Sequence, residues 1–349
     1  MNDINLHLKN SLDTFDKYSI SDDDKKTINR DLTGFITSKL FRKKFRKQKL
    51  VDSTATDITD RIKLSVKNNN PIHIVIFFGG YKHFWNPSDS EVDWAEVFSF
   101  NFLSEWAAPV AATYEPGVVI EFVSEDWILE KMNNYSAENL DKYSSSFTKL
   151  INEFNKKMPE NFKFKFTRLG DIYDKSEMLK TVEAEMSAGY DRWNSLSEEA
   201  KQSELKRSKR SVILKEGQGI DRIIESRVME LVFYSVEERP EFSGDYNSNP
   251  ENIFICFSFG LSDDNVLHWL TLGSTSSSIV DFWVGRGILE QSDDGFIDRI
   301  VSREQYAKIK DRLKTVELPS NDLGLKSFNQ IEVISTDDWN ELVASGGAC

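Results

Sequence analysis

Apolar positions change rhythm along this chain, and each rhythm predicts an element. Through residue 70 they recur at helical spacing, as at Ile28, Leu32, Phe35, Ile36 and Leu40, which predicts a helical arm with one face on the body. Asn68-Asn69-Asn70-Pro71 breaks the pattern. Ile72 to Phe78 is then an unbroken β-branched and aromatic run, the mark of a strand covered on both faces. Gly79-Gly80 stops it and a polar, aromatic loop follows. From Asp93, the positions Trp94, Val97, Phe98, Phe102 and Trp106 form one helical stripe. Pro109 marks the last turns of that helix, and Pro116-Gly117 closes it. Val118 to Val123 reads as the next strand. Strand, helix and strand in this order predict a βαβ unit, two parallel neighbours joined by a right-handed crossover.

Residues 137–157 are helical in pattern, and Phe162 to Phe166 alternates as a strand with one apolar face. Residues 175–239 are charged and helical, with a basic cluster at Lys206-Arg207-Ser208-Lys209-Arg210. From Ile253 the texture becomes β: strands over 253–259 and 268–272, then 287–291 and 296–301 as a hairpin turning at Ser292-Asp293-Asp294-Gly295. After 311 the pattern defines no element. The expected fold class is α/β: a Rossmann-like, mostly parallel sheet in a domain spanning 71–310 with a β-rich C-terminal part, a helical N-terminal arm over 1–70, and a tail over 311–349.

Composition narrows the function classes. With 349 residues, 39% hydrophobic and 29% charged, the chain can bury a large core and is not disordered. A net charge of −13 argues against a nucleic-acid binder, which needs a basic footprint. The basic run from Phe41 to Lys49 reads as a solvated helix face whose phenylalanines dock, or as a contact for an anionic surface. Cys256 and Cys349 make no disulfide framework or metal motif. His7, His73, His83 and His268 are too scattered in sequence for ligand spacing, so no metal is expected. No stretch approaches the roughly 20 apolar residues of a membrane span. The expectation is a cytoplasmic protein acting on small molecules.

In a parallel sheet, ligands bind beyond the carboxyl ends of the strands. The loop after the first strand is crowded with functional groups. Lys82 is suited to hold a phosphate or carboxylate, or to form a Schiff base; an ordinary surface lysine is the plainer alternative. His83 is a candidate proton carrier and Asn86 a candidate substrate orienter. Asp93 and Glu96 stand three apart at a helix start, so they either face one cleft as acid and base or form a capping arrangement. The loop fits neither a dinucleotide fingerprint nor a Walker A loop.

These segments resemble the isonitrile synthases of the pyoverdine/dityrosine biosynthesis family over 71–305. PIHIVIFFGGYKHFWN is similar to the family's strand and its loop with lysine then asparagine. DWAEVFSFNFLSEW is similar to its Asp-x-x-Glu helix, YEPGVVIEF to its Tyr-x-Pro-Gly strand, and DFWVGRGILEQSDDGFIDRIVS to its Trp-x-Gly segment and Asp-Gly hairpin. The family's Thr-Pro before the closing tryptophan and histidine after it are Asp281-Phe282 and Val284 here, and its Ser-x-His-Pro strand is replaced around Cys256 to Gly260. The resemblance implies condensation of an amino-acid amine with the ketone of ribulose 5-phosphate, leaving an isonitrile carbon, with no cofactor. It implies Lys82 and Asn86 as substrate ligands, Asp93 and Glu96 as the groups that handle protons or the amine, Trp283 in the wall and Arg227 as a further cation. Two alternatives stay open: another amine- or carbonyl-processing lyase or transferase, and an inactive binding protein.

Overall fold

The structure is a computed structural model that describes residues 4–13, 18–46, 49–79, 82, 90–209, 211–237, 239, 242, 246, 248–257, 268–273, 282, 284–320 and 323–344. The arm comprises α1 (Ile4–Asp13), α2 (Asp22–Arg30), α3 (Leu32–Leu40) and α4 (Asp52–Asn68). Asp31 ends α2 and caps α3 through Gly34 N–H, so the predicted apolar repeat is divided between two helices, with Phe35, Ile36 and Leu40 buried. The basic run is no helix face. Lys43–Phe45 is a single 3-10 turn, and Arg46 makes an antiparallel bridge with Leu272. Phe45 is buried as expected of a docking phenylalanine. Arg42 donates to the carbonyls of Glu105 and Trp106 at 2.9 and 2.7 Å. The Glu105 carbonyl lacks its helical donor because Pro109 has no N–H.

The first sheet is parallel throughout: β1 (Ile72–Phe78), β2 (Val118–Ser124), β3 (Phe162–Arg168), β4 (Ile253–Cys256) and β5 (Leu270–Thr271), in the order β3-β2-β1-β4-β5. Ile72 pairs with Val118 and Val118 with Phe162, so the predicted βαβ unit is present. The β5 ladder covers two residues of the predicted 268–272, and the end of the predicted 253–259 strand lies outside the described residues. α5 (Trp94–Thr113) joins β1 to β2, and α6 (Asp126–Asn133) with α7 (Ala137–Asn155) joins β2 to β3. The link to β4 carries α8 (Lys175–Ser195), α9 (Glu198–Ser208) and α10 (Ile220–Glu237).

A second sheet, ordered β7-β6-β9-β8, follows: β6 (Arg286–Ser292) and β7 (Gly295–Val301) are the predicted hairpin. β8 (Lys314–Glu317) and β9 (Gln330–Ser335) complete it from the stretch whose pattern was silent, with β9 parallel to β6. α11 (Arg303–Ile309) and α12 (Thr336–Leu342) cover it.

This second sheet corrects the single stripe expected on α5. The helix is buried almost all round, because it lies between the two sheets. Phe100 stacks on Phe164 of β3 at 4.7 Å, while Trp94 packs on Phe328 at 4.9 Å and donates to Gln330 O. A Cβ on Gly287 would sit 2.4 Å from Ala95 N, so only glycine lets β6 come this close.

On the sheet face away from α5, Glu121 of β2 is wholly buried. His73 Nε2, Thr167 Oγ1, Tyr246 OH and Lys165 Nζ surround its carboxylate at 2.5 to 2.9 Å.

Candidate functional site

Strand order reverses between β1 and β4, since the chain steps from β1 to β2 to β3 and then returns to the other side of β1. At such a point the loops leave in opposite directions and open a crevice beyond the carboxyl ends. Lys82 lies in the connection from β1 to α5, on this side of the sheet.

The structure brings Lys82, Asp93 and Glu96 together. Lys82 is 2% exposed, and its Nζ lies 3.0 Å from Glu96 Oε1 and 3.3 Å from Asp93 Oδ1. It also donates to the carbonyls of Phe282 and Gly285 at 2.5 and 2.7 Å. It is therefore neither a surface lysine nor one held out to solvent: its three N–H groups are met inside the protein. Asp93 and Glu96 are also a capping box, Asp93 accepting from Ala95 N–H and Glu96 Oε2 from Asp93 N–H at 2.8 Å. The capping alternative for this pair is the one the structure shows, with both carboxylates also reaching Lys82. Tyr143 of α7 donates to Glu96 Oε1 at 2.9 Å. Burial raises the Glu96 carboxyl to about 7, with the Lys82 charge opposing and the Asp93 charge adding to the rise. Burial and the neighbouring carboxylates push the Tyr143 hydroxyl well up.

A second polar group stands at the end of β2, one strand over. Glu125 N–H donates to Phe78 O at 3.3 Å, pinning this corner to the end of β1. Burial raises the Glu125 carboxyl to about 7, opposed by a hydrogen bond with Glu237 of α10 and assisted by the charge of Glu230. Next to it, Asp126 is held by Arg168 at 2.9 Å and by Ser144 at 2.9 Å, and burial still moves its carboxyl upward. Sequence reasoning missed Glu125 and Glu237. The rule that drew attention to Lys82, polar residues just past a buried strand, applies equally to Ser124-Glu125-Asp126; Glu237 has no such mark.

Arg227 is elsewhere engaged. It is buried on α10 and ion-paired with Glu204 at 2.6 Å and Glu230 at 2.5 Å. His83, Asn86 and Trp283 lie outside the described residues. Among the described residues, no group of histidine, cysteine or carboxylate side chains has the arrangement to hold a metal ion. No described helix is long and apolar enough to cross a membrane.

No family model and no curated protein matches the chain. Among solved structures, the PvcA protein from Pseudomonas aeruginosa superposes with a TM-score of 0.58 at 16% identity, covering 83% of this chain and 97% of that one. A likeness at this identity shows the fold alone, an α/β fold that in this chain has a five-stranded parallel sheet and a mixed sheet in the C-terminal part.

Proposed function

We propose that the chain is an enzyme of the isonitrile-synthase type, joining an amino-acid amine to the ketone of a sugar phosphate such as ribulose 5-phosphate in the crevice above β1 and β4. The observation that carries the reading is the pair of buried carboxyl groups raised to near 7, Glu96 in the first turn of α5 and Glu125 just past the end of β2. Amine attack on a ketone gives a carbinolamine, and its collapse to the imine releases water. Each step moves a proton, and a carboxyl poised near neutrality both takes and returns one. Glu125, hydrogen-bonded to a second carboxyl, is the better carrier. Asn86 and His83, in the connection after β1, and Trp283, shortly before β6 in sequence, are proposed as substrate contacts. Lys82 is assigned to holding the crevice wall, because its donors are already engaged.

Mass spectrometry of the purified protein with pooled amino acids and ribulose 5-phosphate tests this. An isonitrile product supports it, and Glu125→Gln is expected to lower turnover by about 10²-fold or more with KM little changed. A product of another kind moves the assignment to a different amine- or carbonyl-processing enzyme. The saturated Lys82 favours a second reading, a binding protein on an enzyme fold; retention of substrates without consumption would select it.

A further inference from the structure

Lys82 has three N–H donors and four acceptors within 3.3 Å: Phe282 O, Gly285 O, Glu96 Oε1 and Asp93 Oδ1. The two carbonyls belong to the turn that leads into β6, so this one side chain ties the loop after β1 to the second sheet. The same turn is anchored by Phe282, which is wholly buried and stacked on Phe147 at 5.8 Å. It is also anchored by Gly287 N–H, which points at Asp93 Oδ1 at 3.4 Å.

Four acceptors for three donors leave a choice, and Glu96 makes it. When Glu96 is protonated, Asp93 and the two carbonyls take the three donors one for one, and the ammonium and the single carboxylate cancel. When Glu96 is ionised, the pocket carries a net negative charge away from water, and a carboxylate is a stronger acceptor than a peptide carbonyl. It draws an N–H off the turn. We propose that the proton on Glu96 controls how firmly Lys82 holds the 282–287 turn, making the cluster a proton-operated clasp between the two sheets.

Among the described residues, the titratable groups that face Glu96 are Lys82, Asp93 and Tyr143. From the second sheet the nearby charge is Arg286, engaged by Glu332 at 2.6 Å. The position of the Glu96 carboxyl at about 7 places the change near neutrality. The clasp is firm below that point and loosens above it, whatever reaction the crevice performs.

Amide hydrogen exchange of the full chain, read at Gly285 and Gly287 from about pH 5.5 to about pH 8.5 and corrected for the intrinsic rate, tests the clasp. Protection is expected to fall by about tenfold as pH rises through the range. Glu96→Gln should keep the turn protected with no such fall. Tyr143→Phe removes a donor to the ionised carboxylate, so its fall should shift to higher pH. A flat wild-type profile, the same fall in Glu96→Gln, or an unmoved midpoint in Tyr143→Phe would each overturn the proposal. The tyrosine variant keeps the test decisive if the glutamine variant does not fold.

Discussion

Glu96 and Glu121 are both wholly buried, yet they titrate in opposite directions. Glu121 drops to about 2 and Glu96 rises to about 7. Burial raises both; the difference is the supply of donors. Glu121 has four side-chain partners, and two of them, His73 and Lys165, keep contact with water, with Lys165 57% exposed. Lys165 brings charge to the carboxylate without being desolvated itself, and His73 adds a hydrogen bond. Glu96 depends on one cation, Lys82, which is buried too and shared with Asp93 and two carbonyls. A buried carboxylate therefore stays ionised when its cations reach it from the surface, and is poised near neutrality when its cation is buried with it.

The strongest way to break this comparison is to remove the shared cation. Lys82→Met should destabilise by about 3–5 kcal/mol in urea unfolding at neutral pH, because it leaves Asp93 and Glu96 inside without a counter-charge. A loss under about 1 kcal/mol would mean that Lys82 is dispensable to the fold.

Acid should expose the other carboxylate. Glu121 titrates low when folded, so the stability it supplies is complete above about 4.5 and is lost as pH falls toward about 2. The shift corresponds to about 3 kcal/mol, and Glu121→Gln should remove most of that acid limb from a plot of unfolding free energy against pH.

Glu96 has the reverse sign. Its folded value is raised, so its contribution is complete below about 4.5 and declines as pH rises through about 7, by at most about 1.4 kcal/mol per pH unit. Glu125 declines over the same window. Glu96→Gln should flatten part of this slope and leave the acid limb untouched. A variant with an unchanged slope would place Glu96 in the ionised state throughout. The smallest effect is expected at the surface: Lys165→Ala should cost less than about 1 kcal/mol, and 0.5 M salt should mask it, as for other solvated ion pairs.

How much of this was legible depended on how far away the partners lie. The β1 and β2 strands announce themselves through continuous apolar runs, and their parallel pairing follows from the helix between them. The all-round burial of α5 was not legible, because half its cover comes from β6 and β7, nearly 200 residues later, whose own pattern gives no hint of where they dock. Lys82, Asp93 and Glu96 were found because they share one loop and one helix start. Their chemistry was not, because the groups that saturate Lys82 include the carbonyls of Phe282 and Gly285, and a backbone carbonyl leaves no trace in a residue pattern. Glu125 was marked as clearly as Lys82 and was passed over, since its pair with Glu237 joins two distant helices.

The docking of the arm has a consequence for the order of events on the ribosome. Arg46 bridges Leu272, and Gly273 N–H donates to Phe45 O, so the segment made early closes the edge beside β5, made much later. During synthesis the arm must wait for its site. Arg42 is expected to meet the Glu105 and Trp106 carbonyls once α5 has emerged, a contact that would hold the arm beside the growing sheet meanwhile. The proline that breaks the ladder of α5 thus gives the nascent chain a mooring, and an Arg42→Ala chain should reach its native edge more slowly and lose more material to strand-edge aggregation on the way.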